Sequence, residues 1–204
     1  MLEARGLCYR HDPRLPLIED ISLKIASSEI LGLSGPSGCG KSTLARLLAG
    51  YLLPLAGQVL LDGAPTARGG PSPIQYLSQS PIQTMNPRWR IGRIIAEGAA
   101  PDPALAAKLG VEPGWATRFP HELSGGQLMR VALLRAVAIS PRFLIADEIS
   151  APLDAVAQAE LWHVLLGLAR ETGIGILAIS HDEALLSRIA TRRIGFADRM
   201  AAIS

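Results

Sequence analysis

One stretch, "GPSGCGKST" at residues 35–43, constrains this 204-residue chain more than any other. Gly35 is followed at fixed spacing by Gly40, Lys41 and Ser42, and the flanks are the ones such a loop requires. The apolar run "ILGLS" enters as a strand, and "STLARLLAG" leaves as a short helix with Leu44, Leu47 and Leu48 on one face. Gly35, Gly38 and Gly40 let the backbone turn successive N–H groups inward towards phosphate oxygens. The helix N-terminus adds the positive end of its dipole. Lys41 is placed to neutralise β- and γ-phosphate charge, and the Ser42 hydroxyl to ligate Mg2+. The expectation is a nucleoside triphosphate site; a plain glycine turn joining strand to helix is the weaker reading.

Magnesium prefers oxygen ligands in an octahedron and needs a second anchor. Asp147, at the end of the apolar run "FLIAD", is the candidate for the ion's hydration shell. Glu148 follows it, is expected to point elsewhere, and is the candidate to orient or deprotonate an attacking water. His181 ends the next apolar strand, in "AISHD", on the sheet edge that carries the phosphate loop. That position favours a γ-phosphate contact through an imidazole able to switch hydrogen bonds. Gln79, in "YLSQS", is a candidate to reach the metal and the water.

Around these residues short strands and helices alternate, which implies a parallel α/β core. "GQVLLDG", "IQYLSQ", "RFLIADE" and "IGILAIS" read as strands, and "LDAVAQAELWHVLLGLARETG" as an amphipathic helix. Pro87, Pro101, Pro103, Pro113 and Pro120 cut the middle into short pieces, read as a helical insertion over about residues 86–140 within one domain spanning residues 1–204. Ser124 opens a helix running to about Ile139, and "RRIGFADRMAAIS" reads as a terminal hairpin.

A net charge of +2 gives no support to a nucleic-acid-coating surface. Cys8 and Cys39 have no metal-ligand spacing and fit a reducing cytosol. The N-terminus lacks an apolar signal core, and no apolar run approaches the ~18 residues needed to span a bilayer. Any membrane role is therefore expected to come through a partner.

Taken in order, these motifs resemble those of the ATP-binding subunits of ABC transporters, over nearly the whole chain. "GPSGCGKST" matches the Walker A loop, Gln79 the Q-loop, "LSGGQ" at residues 123–127 the signature, "FLIADE" the Walker B strand, "APLD" the D-loop and His181 the switch histidine. The resemblance implies a P-loop NTPase core with a mainly parallel sheet, an N-terminal antiparallel β subdomain and a small inserted helical subdomain. It implies ATP and Mg2+ as ligands. Tyr9 would stack on adenine, and Gly35, Ser37, Gly38, Cys39, Gly40, Lys41, Ser42 and Thr43 would hold the phosphates. Catalysis would fall to Glu148, His181, Gln79 and Lys41, and the metal to Ser42, Gln79 and Asp147. Two such domains would pack head to tail, so Ser124, Gly125, Gly126 and Gln127 would bind the nucleotide held by the partner chain.

"QSPIQTMNPRWRIGRIIAEG" and "RFPHELSGGQ" are similar to the ATPases of oligopeptide, dipeptide and nickel importers. That branch implies an energy-coupling subunit at the cytoplasmic face of the inner or plasma membrane, importing peptide, nickel or metal-chelate cargo. Its partners would be transmembrane permease subunits, a second ATPase (identical or not) and, indirectly, an extracytoplasmic substrate-binding protein. The permease contact is expected around Gln79 to Glu97, with Trp89 as an exposed anchor or a core residue. Ile149-Ser150 replaces the usual Pro-Thr and Ala151 removes a usual hydroxyl, which fits work beside a non-identical ATPase. The sequence ends soon after His181, so no regulatory domain and no iron–sulfur site are expected. The alternative is a soluble ABC-type ATPase acting on nucleic acid or ribosomes.

Overall fold

The computed structural model describes residues 1–11, 17–66 and 70–196. β1 (Leu2–Tyr9), β2 (Ile18–Ile25), β4 (Ala56–Leu61) and β5 (Ala64–Pro65) form an antiparallel sheet in the order β2-β1-β4-β5. The alternation in β2 buries Ile18, Ile21, Leu23 and Ile25 on one face and exposes most of the other, as a one-sided antiparallel sheet should.

The second sheet is parallel throughout. Its order is β6-β7-β8-β3-β9, built from β6 (Ile74–Leu77), β7 (Phe143–Asp147), β8 (Gly175–Ile179), β3 (Ile30–Ser34) and β9 (Arg192–Gly195). Every residue of β7 and β8 is buried, because both faces of such a sheet are covered. Residue parity sorts the two faces. Leu144, Ala146, Ile176 and Ala178 pack with the first core cluster, towards Ile91, Trp115 and Leu133. Phe143, Ile145, Leu177 and Ile179 pack with the second, beneath Leu44, Leu47 and Leu48 of α1 (Lys41–Leu48).

Between β6 and β7 the chain makes short pieces: α2 (Ile91–Ile95), α3 (Pro103–Lys108), single 3-10 turns at Pro81–Thr84, Pro113–Thr117 and Pro120–Glu122, and then α4 (Gly125–Val137). Three of those turns and α3 begin at a proline, whose missing N–H costs nothing at a helix start. Trp89 is half-buried against the first core, with the Arg93 guanidinium 3.9 Å from its ring centroid. α5 (Ala155–Thr172) and α6 (Glu183–Ile189) complete the described fold.

The expected terminal hairpin, residues 192–204, falls largely outside the described residues. Arg192–Gly195 pairs in parallel with β3, Leu33 facing Ile194, and residues 197–204 lie outside the described residues. β9 follows α6 and joins the open edge of β3.

Candidate functional site

All five strands of the second sheet run the same way, so their C-terminal ends share one edge, where crevices open in α/β sheets. Ser34, Leu77, Asp147 and Ile179 end their strands there. The loop after β3 is closed by left-handed backbone at Gly38 (φ 79°) and at Gly40 (φ 109°), the cap of α1. At Gly40 a Cβ would lie 3.1 Å from the Leu17 carbonyl oxygen and 3.2 Å from the Phe196 ring, so space as well as φ selects glycine. Lys41 is buried, and its Nζ donates to the carbonyl oxygens of Gly35 (2.7 Å) and Pro36 (2.8 Å), with Cys39 Sγ 3.9 Å away. The ammonium thus sits inside the arch of the loop, and Lys41 lines the cavity above it.

A cavity of about 380 Å³ opens over this loop. Ser37, Gly38, Gly40, Lys41, Ser42 and Thr43 line one side, Gln79, Glu148 and His181 the other, and Leu17 completes the wall. Asp147 lies behind it at 4% exposure. Its Oδ2 accepts a 2.9 Å hydrogen bond from the Tyr76 hydroxyl, and its Oδ1 has no hydrogen-bond partner among the described residues. Burial, then the neighbouring Asp147 charge, push the Tyr76 hydroxyl up to about 12, with Arg46 opposing, so the hydroxyl stays a donor.

Directly after Asp147 the backbone flips: Glu148 adopts φ 54° while its N–H donates to the Ile179 carbonyl. Continued strand geometry would send Glu148 to the far face of the sheet. Instead its Oε2 lies 2.7 Å from His181 Nδ1. Facing a carboxylate, that nitrogen carries the hydrogen, which leaves Nε2 of the exposed ring for the cavity.

Other expected site residues lie elsewhere. Tyr9 ends β1 with its ring edge-on to His11 at 4.9 Å and is not among the residues lining the cavity. Ser124–Gln127 are not in that lining either. There Ser124 Oγ accepts from the Gln127 N–H (3.3 Å) and Gln127 Oε1 from the Ser124 N–H (2.9 Å), a capping box that exposes the N-terminus of α4. Leu17 and Tyr76 were missed by sequence reasoning. For Tyr76 the only signal was an aromatic residue one turn of strand before Gln79.

The donor set suits a hard divalent cation. Asp147 offers a buried carboxylate oxygen without a partner, next in the chain to Glu148 of the cavity wall, and Ser42 offers a hydroxyl in that wall. No cluster of three or more His, Cys, Asp or Glu occurs among the described residues. A cation here would therefore take the rest of its shell from water and phosphate, as Mg2+ does.

Residues 18–151 match the model of the ABC transporter family. The chain is 37% identical over 199 residues to a probable peptide ABC transporter ATP-binding protein, y4tS, of Sinorhizobium fredii, covering 88% of this chain and 56% of that one. It is 35% identical over 208 residues to the oligopeptide transport ATP-binding protein OppF of Haemophilus influenzae, covering 92% and 63%. The chain thus spans less than two thirds of the length of these two relatives. Among solved structures it superposes on cbiO1 of Clostridium perfringens, part of the transporter complex cbiONQ, with a TM-score of 0.79 at 24% identity, covering 95% of this chain and 83% of that one. The dimeric ATP-binding cassette MJ0796 bound to ADP and Pi gives 0.82 at 22% identity, covering 96% and 94%. At these identities the superpositions establish the fold.

Proposed function

The chain belongs to the ABC transporter family, and on that premise we propose that it binds Mg-ATP in the cavity above the residue 35–43 loop and hydrolyses it to power a peptide importer. One observation carries this reading: the phosphate loop, Gln79, Glu148 and His181 converge on one cavity, with the unpaired Asp147 Oδ1 behind it.

In this reading the loop N–H groups and Lys41 cradle the phosphates. Ser42 holds the cation directly, and Asp147 and Gln79 hold it directly or through its waters. When bound, Mg2+ neutralises charge at the β- and γ-phosphates. Glu148 orients and deprotonates the attacking water in line with the leaving group, and Gln79 reaches the same water. His181, which lines the cavity beside Glu148, is assigned the γ-phosphate contact. Tyr9 is proposed for adenine, which places the base outside the described cavity wall.

The signature residues Ser124, Gly125, Gly126 and Gln127 are kept for a nucleotide on a second chain, identical or not. Their position at the start of α4, off the cavity wall and with Ser124 and Gly125 exposed, supports a site completed by two chains. Among the described residues no helix is long and apolar enough to cross a membrane. A permease is accordingly assigned the membrane path, with this chain on its cytoplasmic face near Gln79 to Glu97 and a substrate-binding protein acting on the far side. Peptide is the cargo class that the relatives' names carry; nickel and metal chelates are the other classes of the branch.

The test is Glu148→Gln. ATP binding should persist while turnover falls by about 10²–10⁴-fold, the usual worth of a general base. Turnover at the wild-type rate removes Glu148 from its assigned role.

A further inference from the structure

Asp147 poses a chemical problem that the loop motifs do not solve. A buried carboxylate free to rotate about its Cβ–Cγ bond offers either oxygen to a cation's shell and is costly to leave unpaired. Tyr76 removes that freedom. In the parallel pairing of β6 with β7, Tyr76 faces Ile145, so its side chain emerges on the same face as Asp147, one alternation further along β7. The ring bridges that diagonal and its hydroxyl donates to Oδ2 at 2.9 Å. The two carboxylate oxygens become inequivalent: Oδ2 is tied and Oδ1 is not. The Tyr51 ring lies beside that of Tyr76, tilted, with 5.7 Å between centroids.

We propose that Tyr76 is a positioning residue for the cation site, fixing Asp147 so that Oδ1 alone is presented to the hydration shell of Mg2+. This rests on the reading that the cavity takes Mg-ATP. The role is distinct from packing, because the ring fills the space and only the hydroxyl sets the carboxylate. It also differs from catalysis, since Tyr76 acts through Asp147 and does not line the cavity.

The hydroxyl alone should therefore matter to the metal-dependent part of nucleotide binding. The experiment titrates wild type and Tyr76→Phe with a fluorescent ATP analogue, once in EDTA and once in saturating Mg2+. The ratio of the two dissociation constants measures the cation's contribution. For wild type the ratio should be large. For Tyr76→Phe the constant in EDTA should stay within about twofold, and the Mg2+ gain should shrink about tenfold, the low end of what outer-shell partners of metal sites contribute. Tyr76→Met, which fills similar volume without a hydroxyl, should repeat the loss and carries the test if the Phe variant fails to fold. In an Asp147→Asn background the hydroxyl should have nothing left to position, and adding Tyr76→Phe should leave the ratio unchanged.

An undiminished Mg2+ gain in a folded Tyr76→Phe or Tyr76→Met overturns the positioning role and leaves the ATPase reading intact. Equal weakening with and without Mg2+ overturns it too, by marking the residue as structural. Failure of wild type to bind the analogue under either condition removes the ATPase reading, and this inference with it.

Discussion

Ser150 shows how much one buried hydroxyl can carry. It is 4% exposed, and its Oγ accepts from both the Trp162 indole N–H (3.0 Å) and the Gln158 side-chain amide (3.1 Å). The loop that follows Glu148 is thereby tied to α5 about one and two turns in. This is where the chain departs from the commoner Pro-Thr, and the departure comes with its own partners. Ser150→Ala leaves a buried indole N–H unpaired and should lower stability by about 1–3 kcal/mol, read from the shift of the urea midpoint at constant slope. Trp162→Phe added to that variant should cost less than it does alone, because its donor has already lost its acceptor. Additive losses in the cycle would break the link. The serine itself stands out in the sequence, but its grip on α5 does not. Trp162 reads there as one more apolar helix residue, and only folding brings the indole N–H to Oγ.

Secondary elements were the most readable level, since their signals are local. Ser124 with Gln127 marks the start of α4, and Asp154, whose Oδ1 accepts from the N–H groups of Val156 and Ala157, marks that of α5. The parallel pairing of β9 with β3 was not legible, because "RRIG" contains nothing that names a partner some 160 residues away. The pairing of β1 with β2 also hides an electrostatic device. Glu3 is a nearly buried carboxylate on β1, held by Arg5 (2.7 Å) and, from β2, by Lys24 (2.9 Å). The Arg5 hydrogen bond first, then that of Lys24, bring its pKa down to about 2. A carboxylate depressed in the folded state stabilises above its unfolded pKa and loses that contribution as pH falls through the folded value. Wild type should therefore lose stability from about pH 4.5 towards pH 2 more steeply than Glu3→Gln, as followed by thermal melts across that range. Parallel melting curves for the two proteins would remove the ion pair from acid stability.

At the scale of the whole molecule, the convergence on one cavity was readable because the residues concerned lie in short motifs at strand ends, and a parallel sheet gathers those ends on one edge. Gly40, Lys41, Asp147, Glu148 and His181 announce themselves this way. Tyr76 did not, because its role depends on register between strands whose residues stand 71 positions apart. The segment proposed for a partner's nucleotide lies at the start of α4, where a Cβ on Gly126 would be 3.3 Å from Leu153 of the loop before α5. This turn is thus packed against the segment that leaves Glu148. Two chains related head to tail would join each cavity to the partner's Ser124. The consequence can be tested by mixing. Lys41→Ala should disable the cavity of its own chain, and Ser124→Arg should disable the contribution to the partner, so each protein alone should be inactive. In a mixed dimer one site joins both defects and the other joins neither. Random pairing of equal amounts should then restore about a quarter of wild-type ATPase activity, half of the dimers being mixed and half of their sites whole. Recovery near that level places Ser124 in a site shared between copies of this chain. Folded variants that fail to complement, with each still inactive alone, would instead assign the second half of the site to a different polypeptide.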